Sequence, residues 1–466
     1  MPPAFNSNTF TIDVARAIAK KMPRKSSSGF DAVEYRLTRA DGQIRASHIP
    51  HPLAYANLVL KIETHWEKFP DIFNNYHSYI RPRLHPDGRL IIMKYDSWLT
   101  KTLKSLKWRL NSKYIAQVDI ANFFPSIYTH SFGWAIDDIQ SAKKSGGKKW
   151  YDEVDRAFRL TKRNETNGVL VGPATSNIAT EVILGKIDEK LSKRSYRFYR
   201  HIDDYKCYCK SREEAEAFIA DITRFLSYYK LSINNKKSKI VSLPNPATEP
   251  WVSELRMAAR TLGKRPTSGQ VSFFLDCVTE IASRYGEGNA FKYAATVIAS
   301  KSLNQNAKVT AFIYLLGLSQ FHPNLTGCLL PFLPNMERCK FHGLGTEIIF
   351  RLQESIRYAR SDETTWLIFL AYKAAESIPP DLVDKILNGR DCIPSLLIFA
   401  TGDNDAKKKV ARVARSAVSS PDAFDAQSQW ILVYELYRVG AIRSAGSDKA
   451  WFDEMIAHHV KFCDLI

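Results

Sequence analysis

Cysteine and long apolar runs are both scarce in this chain, and each shortage excludes a class of protein. The 466 residues contain seven cysteines, whose spacing fits neither a disulfide framework nor a zinc site. Cys207 and Cys209 alternate along a strand-like run and are predicted to be small core residues in a reducing cytoplasm. The longest apolar runs, Val309–Leu316 and Trp366–Tyr372, fall well short of the roughly 20 residues that span a membrane. We therefore expect a cytoplasmic protein without a membrane segment.

Acidic residues are also fewer than basic residues. Aspartate and glutamate number 48 against 66 lysines and arginines, which gives a net charge of +18 and a pI near 9.4. A hydrophobic content of 45% is that of a globular chain, and the length allows two or three domains. A large positive charge together with 21 tyrosines and 25 phenylalanines favours a nucleic-acid partner.

Strand and helix signals alternate in the first half of the chain. Residues 1–29 are predicted to be a mobile lead-in, because they end in a polar, serine-rich patch. Tyr35 to Ile49 predicts two strands around a turn at Asp41. Helices are predicted from His51 to Trp66 and from Asp96 to Leu110.

Helical signals alone follow a proline-rich boundary at residues 243–246. Ser361 and Pro380 are typical helix starts, and Gly440 is a typical helix stop. No strict sequence period is visible, so a HEAT-like helical-repeat architecture for residues 250–466 is predicted from the succession of helices alone.

Two strand-like segments carry carboxylates at their ends. Asp119 ends an apolar strand, and the pair Asp203 and Asp204 lies in a second short strand pattern. Any single aspartate is more often part of a solvated turn, but two strand-end carboxylates fit two-metal nucleotidyl transfer. That chemistry uses two cations about 4 Å apart, which activate the attacking oxygen and neutralise the leaving pyrophosphate. Mg²⁺ suits a site with two or three carboxylates, since it keeps several waters, and Mn²⁺ is expected to substitute.

Four segments in order give the chain its resemblance to a reverse transcriptase. They are residues 119–127, similar to D-I-x-x-F-F-x-S-I; residues 168–177, similar to G-x-P-x-G-P-x-x-S-N; residues 201–204, at the Y-x-D-D position; and residues 231–238, similar to L-x-x-N-x-x-K-T. The resemblance covers roughly residues 35 to 245. It implies an α+β fold with right-hand polymerase fingers and a ferredoxin-like palm sheet, followed by the all-α domain. The implied divisions are 1–110 for the N-terminal segment and fingers, 111–245 for the palm with a fingers insertion around 140–170, and 250–466 for the helical domain.

The resemblance also implies roles at the metal centre. Asp119, the backbone of Ile120, Asp203 and Asp204 match the metal ligands. Lys237 matches the lysine that protonates the leaving pyrophosphate, with a solvated surface lysine as the simpler alternative.

A second group of residues matches the family's nucleotide-binding positions. Arg39 and Arg45 bracket the turn at Asp41 and resemble the fingers cations that hold the triphosphate. Phe124 falls on the sugar gate, which implies dNTP use, although a core aromatic is the alternative. Gly172, followed by Pro173, is implied to let backbone approach the nucleotide without a Cβ in the way.

Two departures from the family pattern concern the primer and template. His201 replaces a tyrosine beside the aspartate pair, and Leu170 replaces a proline in the second block. Both positions belong to the wall that handles primer terminus and template, so ordinary primed copying is in question. Neither change removes a metal ligand.

Further details resemble one branch of the family, the bacterial defence-associated and abortive-infection reverse transcriptases. The segment Ile127–Ala135 is similar to their signature after the first block, and Ile49–Tyr55 echoes an I-P-x-P-x-x-Y pattern upstream. The branch implies antiviral defence by DNA synthesis, in several members untemplated and primed by a protein hydroxyl, with oligomers formed through the helical domains. Tyr35 is a candidate priming residue, and the DNA product would then be covalently attached.

Two alternatives stay open from the sequence. In the first, the enzyme is RNA-templated and copies a dedicated non-coding RNA. In the second, the palm is a catalytically idle scaffold that only binds nucleic acid. Retention of Asp119, Asp203 and Lys237 argues against the idle scaffold.

Overall fold

The computed structural model describes residues 1–23, 28–70, 72, 74–84, 91–95 and 98–466. Residues 24–27 of the predicted lead-in and residues 96–97 of the predicted helix lie outside this set. The described strands are β1 Val33–Thr38, β2 Ile44–Ile49, β3 Ile80–Leu84, β4 Ile91–Tyr95, β5 Tyr114–Asp119, β6 Phe198–His201, β7 Asp204–Cys209 and β8 Lys239–Ser242.

Helices occupy most of the remaining chain. Those up to residue 245 are α1 Ile12–Ala19, α2 Pro52–Thr64, α3 Trp98–Arg109, α4 Phe123–Ser126, α5 Ser131–Ile136, α6 Ile139–Lys144, α7 Trp150–Leu160, α8 Ala174–Ser192 and α9 Arg212–Tyr228. Those that follow are α10 Pro250–Ala258, α11 Ser268–Tyr285, α12 Asn289–Ala299, α13 Gln305–Ser319, α14 Met336–Phe341, α15 Leu344–Arg357, α16 Ser361–Lys373, α17 Pro380–Asn388, α18 Cys392–Thr401, α19 Asn404–Val418, α20 Ala423–Gln427, α21 Trp430–Arg438 and α22 Lys449–Ala457.

A four-stranded antiparallel sheet forms the centre of residues 111–245. Its strand order is β6-β7-β5-β8, so β5 is an inner strand with neighbours on both sides. Ile115, Ala116 and Val118 of β5 are buried, and α9 packs on β5 and β7 while contacting α8. Cys207 and Cys209 are buried free cysteines of β7, as the sequence predicted. This sheet with helices beside it has the mixed α/β character that was predicted for this region.

The β1–β2 hairpin is a separate two-stranded antiparallel sheet, paired from Val33 opposite Ile49 to Thr38 opposite Ile44. Its turn at residues 39–43 includes Gly42 at a φ of 77°, in the left-handed region that glycine adopts at low cost. The two strands and the turn between them agree with the sequence prediction.

Residues 250–466 contain helices and short 3-10 turns, and none of the strands lies in this described range. Contacts link α15 with α16, α16 with α18, and α18 with α19. The all-helical prediction is confirmed, while a HEAT-like repeat remains a prediction.

The hydrophobic cores divide the chain differently from the predicted domains. Val14 of α1, Tyr35 of β1 and Leu53 of α2 belong to one core with the helices after residue 250. The second core starts at Leu58 and contains the residues of the palm. The N-terminal segment therefore packs with the helical half, and the predicted divisions at residues 110 and 245 stay predictions.

The N-terminal helix corrects another expectation. Val14, Ala15 and Ile18 form the buried face of α1, which contacts α2 and α22. An apolar face at this spacing is stabilised by packing rather than left mobile, so the predicted mobile lead-in is wrong for this helix. Within the described ranges, no helix has both the length and the apolar character required to cross a membrane.

Candidate nucleotidyl-transfer site

The predicted metal ligands meet at one end of the four-stranded sheet. Asp119 is the last residue of β5, and its register partner on the neighbouring strand is Asp204, the first residue of β7. Asp203 immediately precedes Asp204 in the tight turn that joins β6 to β7, where His201 pairs with Asp204. Antiparallel pairing brings side chains of opposed residues within about 5 Å of each other at their Cβ atoms, so the sheet itself brings these carboxylates together.

The turn that carries Asp203 has an unusual backbone. Ile202 has a φ of 58°, a left-handed conformation that is sterically costly for a β-branched residue. Such conformations persist where the surroundings hold them, and they cluster at functional sites. Here the Ile202 carbonyl accepts a hydrogen bond from Arg200 Nη1 at 3.2 Å.

A buried network of charged groups lies behind this turn. Arg200 is 0% exposed and donates to both carboxylate oxygens of Glu181 at 2.7 Å and from Nε to Asp188 at 2.8 Å. Asp188 also accepts from the Tyr205 hydroxyl at 3.0 Å. Every member is therefore compensated, which is what makes buried charges tolerable.

Sequence reasoning missed this network, although a signal was available. Arg200 lies in the strand that leads into the aspartate pair, and α8 carries Glu181 and Asp188 among apolar residues. Charged groups on a buried helix face require partners, and a lone arginine in a neighbouring buried strand is a natural one.

Crowding of negative charge changes the acidity of the aspartates. Burial, followed by the charges of Asp203 and Asp119, raises the pKa of Asp204 to about 6. Burial and the charge of Asp119 also raise the pKa of Asp203, against the opposite effect of Arg45 and Lys237. Like charges in one site disfavour the ionised form, and a divalent cation would relieve this repulsion.

The donor set fits a hard divalent cation. In the described part of the chain, no three His, Cys, Asp or Glu side chains are already gathered as a cation site. The opposed carboxylates thus supply only part of a coordination shell. This suits Mg²⁺, which takes oxygen ligands and retains waters or substrate phosphate oxygens for the rest.

The loop after α9 lies along the end of β5. The Asn234 amide donates to the Asp119 carbonyl at 2.7 Å, and the Ala121 amide donates to the Ser232 carbonyl at 2.9 Å. Ile120, between these bonds, is bridged to Ile233, and its role as a backbone ligand stays a prediction. The same loop brings Lys237 Nζ to 3.5 Å from Asp119 Oδ2.

Phe124 lies on the short helix α4 just after β5. Asn122, with a φ of 43°, turns the chain away from the strand, and asparagine tolerates this conformation better than most residues. The Phe124 carbonyl accepts from the Val169 amide at 3.0 Å, which joins the first two sequence blocks. The ring is 8% exposed and lies 5.4 Å from the Phe123 ring.

Gly172 lies against the β1–β2 hairpin. At its φ of 123°, a Cβ would lie 2.8 Å from Ser47 Oγ of β2. Beside it, the Val171 carbonyl accepts from the His48 amide at 2.8 Å. The glycine therefore permits close packing of the β1–β2 hairpin on the second block, and its close approach to a nucleotide stays a prediction. Pro173 directly precedes α8 as its N-cap.

The predicted phosphate-binding cations line a large cavity. Arg39, Arg45 and Lys237 border a volume of about 1360 Å³, whose opposite wall comes from the helical domain. On that wall, His322 Nδ1 lies 3.2 Å from the Ala40 carbonyl at the hairpin turn. The hairpin thus contacts the helical domain at its tip.

Polar contacts hold the β1 strand to the helical domain as well. Asp362 accepts from both the Thr38 amide at 2.9 Å and the Thr38 hydroxyl at 2.7 Å. Arg36 pairs with Asp391 at 2.8 Å in a half-buried setting, where a charge-assisted bond is stronger than on an open surface. The hairpin that carries Arg39 and Arg45 is therefore positioned by α16 and its neighbours.

Two other predicted residues lie in the interior. Leu170 is 4% exposed, so a role in a primer or template wall would need a rearrangement. Tyr35 is 2% exposed, and burial raises the pKa of its hydroxyl above the usual value. This burial argues against Tyr35 as a priming residue. His201 remains beside Asp204, where the wall was predicted.

Comparison with known proteins identifies the class. Residues 61–280 match the family of reverse transcriptases, the RNA-dependent DNA polymerases. The protein therefore carries a reverse transcriptase domain with a polymerase fold, and it is an RNA-directed DNA polymerase-type nucleotidyltransferase. The matched range contains the three aspartates, Phe124 and Lys237.

Two solved structures show low similarity to the whole chain. A telomerase from Candida albicans in complex with the TWJ fragment of telomeric RNA is 11% identical, with a TM-score of 0.31, over 84% of this chain and 67% of that one. Apo telomerase from Candida tropicalis is 10% identical, with a TM-score of 0.34, over 97% of this chain and 72% of that one. No protein of curated description matches the sequence.

Proposed function

We propose that the protein is a DNA polymerase of bacterial antiviral defence that joins dNTPs without a template and begins on a protein hydroxyl. The single observation that carries nucleotidyl transfer is the pairing of Asp119 with Asp204 across β5 and β7, with Asp203 in the adjoining turn. The defence role rests on the resemblance of residues 127–135 and 49–55 to one branch of the family.

Each residue at the site has a proposed task in this reaction. Asp119, Asp203 and Asp204, with the Ile120 carbonyl, would hold two Mg²⁺ ions, or Mn²⁺ in their place. When bound, these ions supply charge neutralisation at the attacking oxygen and at the leaving pyrophosphate. Lys237, at 3.5 Å from Asp119, would donate a proton to the pyrophosphate.

Nucleotide selection is assigned to the neighbouring residues. Arg39 and Arg45 are exposed toward the cavity they share with Lys237, and guanidinium groups bind phosphates through paired donors. Phe124 would exclude the 2′-hydroxyl of a ribonucleotide. His201 would face the primer terminus, in place of the tyrosine of the family pattern.

Labelled dNTPs test this function directly. After incubation with Mg²⁺, denaturation and nuclease treatment, label that migrates with the protein would support priming on a protein hydroxyl. Labelled DNA that migrates apart from the protein, and whose migration protease does not change, would contradict it. Asp203→Ala is the control that should lose incorporation while keeping its thermal unfolding transition, and unchanged antiviral defence in that variant would support an idle scaffold instead.

A second candidate is templated synthesis on a dedicated non-coding RNA. The net charge of +18 favours it, since a strongly basic protein attracts nucleic acid. Sequencing the nucleic acid that copurifies with the protein separates the two. One uniform RNA with complementary DNA would support templating, whereas DNA of random or single-base composition would support untemplated synthesis.

Assembly into homo-oligomers through the helical domain belongs to the same proposal. Several large apolar side chains of that domain are exposed, with Phe341 the most accessible at 84% and with Phe273 and Phe350 also open to solvent. Exposed apolar patches often mark protein interfaces. Light scattering on Phe341→Ser against the unaltered protein would test this, and an unchanged mass would exclude Phe341 from the interface. Seven free cysteines agree with the cytoplasmic location proposed for the protein.

A further inference from the structure

The signature segment Ile127–Ala135 builds a second cavity that nucleotidyl transfer does not use. Tyr128, His130 and Trp134 from this segment line a volume of about 760 Å³, together with α7 and the loop between α6 and α7. That size is within the range of ligand sites. None of the three catalytic aspartates lines it, so it is distinct from the nucleotidyl-transfer site.

Aromatic rings form the inner part of this cavity. Trp134 and Tyr151 are buried, and Tyr128 is half-buried with its ring 5.4 Å from Trp134. Lys230 Nζ lies 3.9 Å from the centre of the Tyr128 ring. The ammonium group covers one face of the Tyr128 ring, so a planar ligand would stack on the other face.

Two of the three acidic residues that line the cavity form ion pairs. Buried Asp155 pairs with His130 Nδ1 at 2.8 Å and with Arg159 at 3.3 Å. Glu153 pairs with Lys61 at 2.6 Å. These contacts offset the charges of Asp155 and Glu153 and leave His130 Nε2 facing away from Asp155. The third carboxylate, Asp152, accepts from the Lys149 amide at 3.0 Å.

Two basic side chains at the rim of the cavity are exposed. Lys143 and Arg156 are exposed, and neither forms an ion pair with any residue in the described ranges. Gly146 and Gly147 lie in the adjoining loop, both at positive φ. The cavity thus combines an aromatic interior with a rim of available cations.

We propose that this cavity binds single-stranded nucleic acid, with bases against Tyr128 and Trp134 and phosphates against Lys143 and Arg156. Aromatic stacking with backbone cations is the arrangement by which proteins hold single strands regardless of sequence. The site is close to the polymerase blocks, because Tyr128 is bridged to Asn167, the residue before Gly168. The inference extends the proposed function by assigning a place where a strand is held, and binding can be measured without any incorporation.

Two pairs of variants test the site in the full-length protein. Arg156→Glu changes the charge at the rim, and Lys408→Glu makes the same change at an exposed position on α19 in the helical domain. Tyr128→Ala removes the ring, and Tyr128→Phe keeps it. The probes are fluorescent oligo(dT) and oligo(U) of about a dozen nucleotides, a length typical of single-strand sites, and the readout is anisotropy across a salt series.

The expected result is weaker binding by between about five- and a hundredfold for Tyr128→Ala, from the loss of one stacked base. Arg156→Glu should weaken binding and lower the slope of log affinity against log salt by at least about 0.7. Tyr128→Phe and Lys408→Glu should bind as the unaltered protein does. Preference for one probe would identify the strand as DNA or RNA.

Three outcomes would overturn the proposal: no strand binding by the unaltered protein, equal loss in Arg156→Glu and Lys408→Glu, or full binding by both Tyr128→Ala and Arg156→Glu. Thermal unfolding of each variant checks that the fold is retained, and Arg156→Glu is the exposed change that avoids the core. Loss of dNTP incorporation in Asp203→Ala with strand binding retained would separate this site from the catalytic one. Absence of incorporation in the unaltered protein would contradict the proposed function while leaving this inference intact.

Discussion

Two hairpins carry the predicted chemistry, and they are supported in opposite ways. The β6–β7 hairpin, with Asp203 in its turn, lies within the four-stranded sheet and has the buried Arg200 network behind it. The β1–β2 hairpin, with Arg39 and Arg45 around its turn, is a two-stranded unit. Its strand β1 has polar contacts to the helical domain, and the His48 amide of β2 donates to the Val171 carbonyl of the second block. The proposed metal ligands are thus held within the palm, whereas the proposed phosphate-binding cations lie on a hairpin that the helical domain also holds.

This difference predicts a separation of kinetic effects. A change behind the β6–β7 hairpin should alter the rate of the chemical step, since it moves groups at the reacting atoms. A change between the β1–β2 hairpin and α16 should alter the nucleotide KM, since it moves groups that bind the substrate. The following variants test that separation.

The largest effect is expected for Asp203→Asn. This change keeps the shape of the turn but removes a proposed metal-binding charge, so incorporation of dNTPs should fall by at least about a thousandfold. Steady-state incorporation at saturating Mg²⁺ measures it. Activity within about tenfold of the unaltered protein would remove Asp203 from the proposed ligands.

Arg200→Gln should destabilise the palm and lower kcat together. Glu181 and Asp188 would be left buried without their partner, which typically costs about 3–5 kcal/mol. Urea unfolding measures the stability, and kcat at saturating dNTP measures the effect on the turn. The double variant Arg200→Gln with Glu181→Gln should recover part of the stability, because the unpaired charge is removed.

A control for that prediction is available on the surface. Arg224 pairs with Asp221 at 2.6 Å but is largely exposed, so Arg224→Gln should cost no more than about 1 kcal/mol. An equal loss of stability in the two variants would show that the Arg200 network contributes no more than a surface ion pair.

Asp362→Asn tests the other side of the comparison. The Thr38 amide and hydroxyl would lose a charged acceptor, and the hairpin with Arg39 and Arg45 would be held less firmly. The KM for dNTP should rise by about tenfold, with kcat nearly unchanged. Asp384→Asn, whose partner Lys409 lies 2.9 Å away within the helical domain, is the control that should leave both constants unaltered. A fall in kcat with constant KM would contradict the assigned role.

The smallest effect concerns pH. The pKa of Asp204 is raised to about 6, and cation binding requires the ionised form, so incorporation should fall as pH is lowered through about 6. Additional Mg²⁺ should shift this fall to lower pH. A profile that is flat from pH 5 to about 7 at limiting Mg²⁺ would contradict the raised pKa.

Without metal, the contribution of Asp204 to the free energy of unfolding should have the opposite pH dependence and fall as pH rises. Because the folded-state pKa of Asp204 lies above its value of 3.8 in the unfolded chain, the folded state binds the proton more tightly. That contribution is fully present below about pH 3.8 and is lost as pH rises through about 6. Thermal unfolding of Asp204→Asn in the absence of divalent cations should lose this part of the pH dependence.

Local sequence patterns predicted the elements of the site well, because each depends on neighbouring residues. The strand that ends at Asp119, the turn around Asp41 and the helices after residue 250 all follow from periodicity and turn chemistry. The patterns could not predict which element packs against each face of a strand or helix. Tyr35 alternates correctly for a strand, but only the packed helices show that its hydroxyl is buried.

The same limit applies to Gly172 and to the Arg200 network. The glycine was predicted to allow close approach of another group, and the nearest atom to the position of its absent Cβ belongs to Ser47, from a strand distant in sequence. Glu181 and Asp188 interrupt an apolar helix pattern and indicate a buried cation partner, but the geometry of their pairing with Arg200 is set by tertiary packing. Long-range pairing of this kind depends on topology rather than on local propensity.

The attachment of the β1–β2 hairpin to α16 has a consequence for when the enzyme works. If the helical domain sets how firmly Arg39 and Arg45 are presented, it sets the nucleotide concentration at which the polymerase becomes half-saturated. A partner that moved α16 would then change the dNTP concentration needed for synthesis, while the catalytic centre itself stayed unaltered. The helical domain would thus set the dNTP concentration that the enzyme requires. The dNTP concentration in the cell would then determine whether DNA is synthesised.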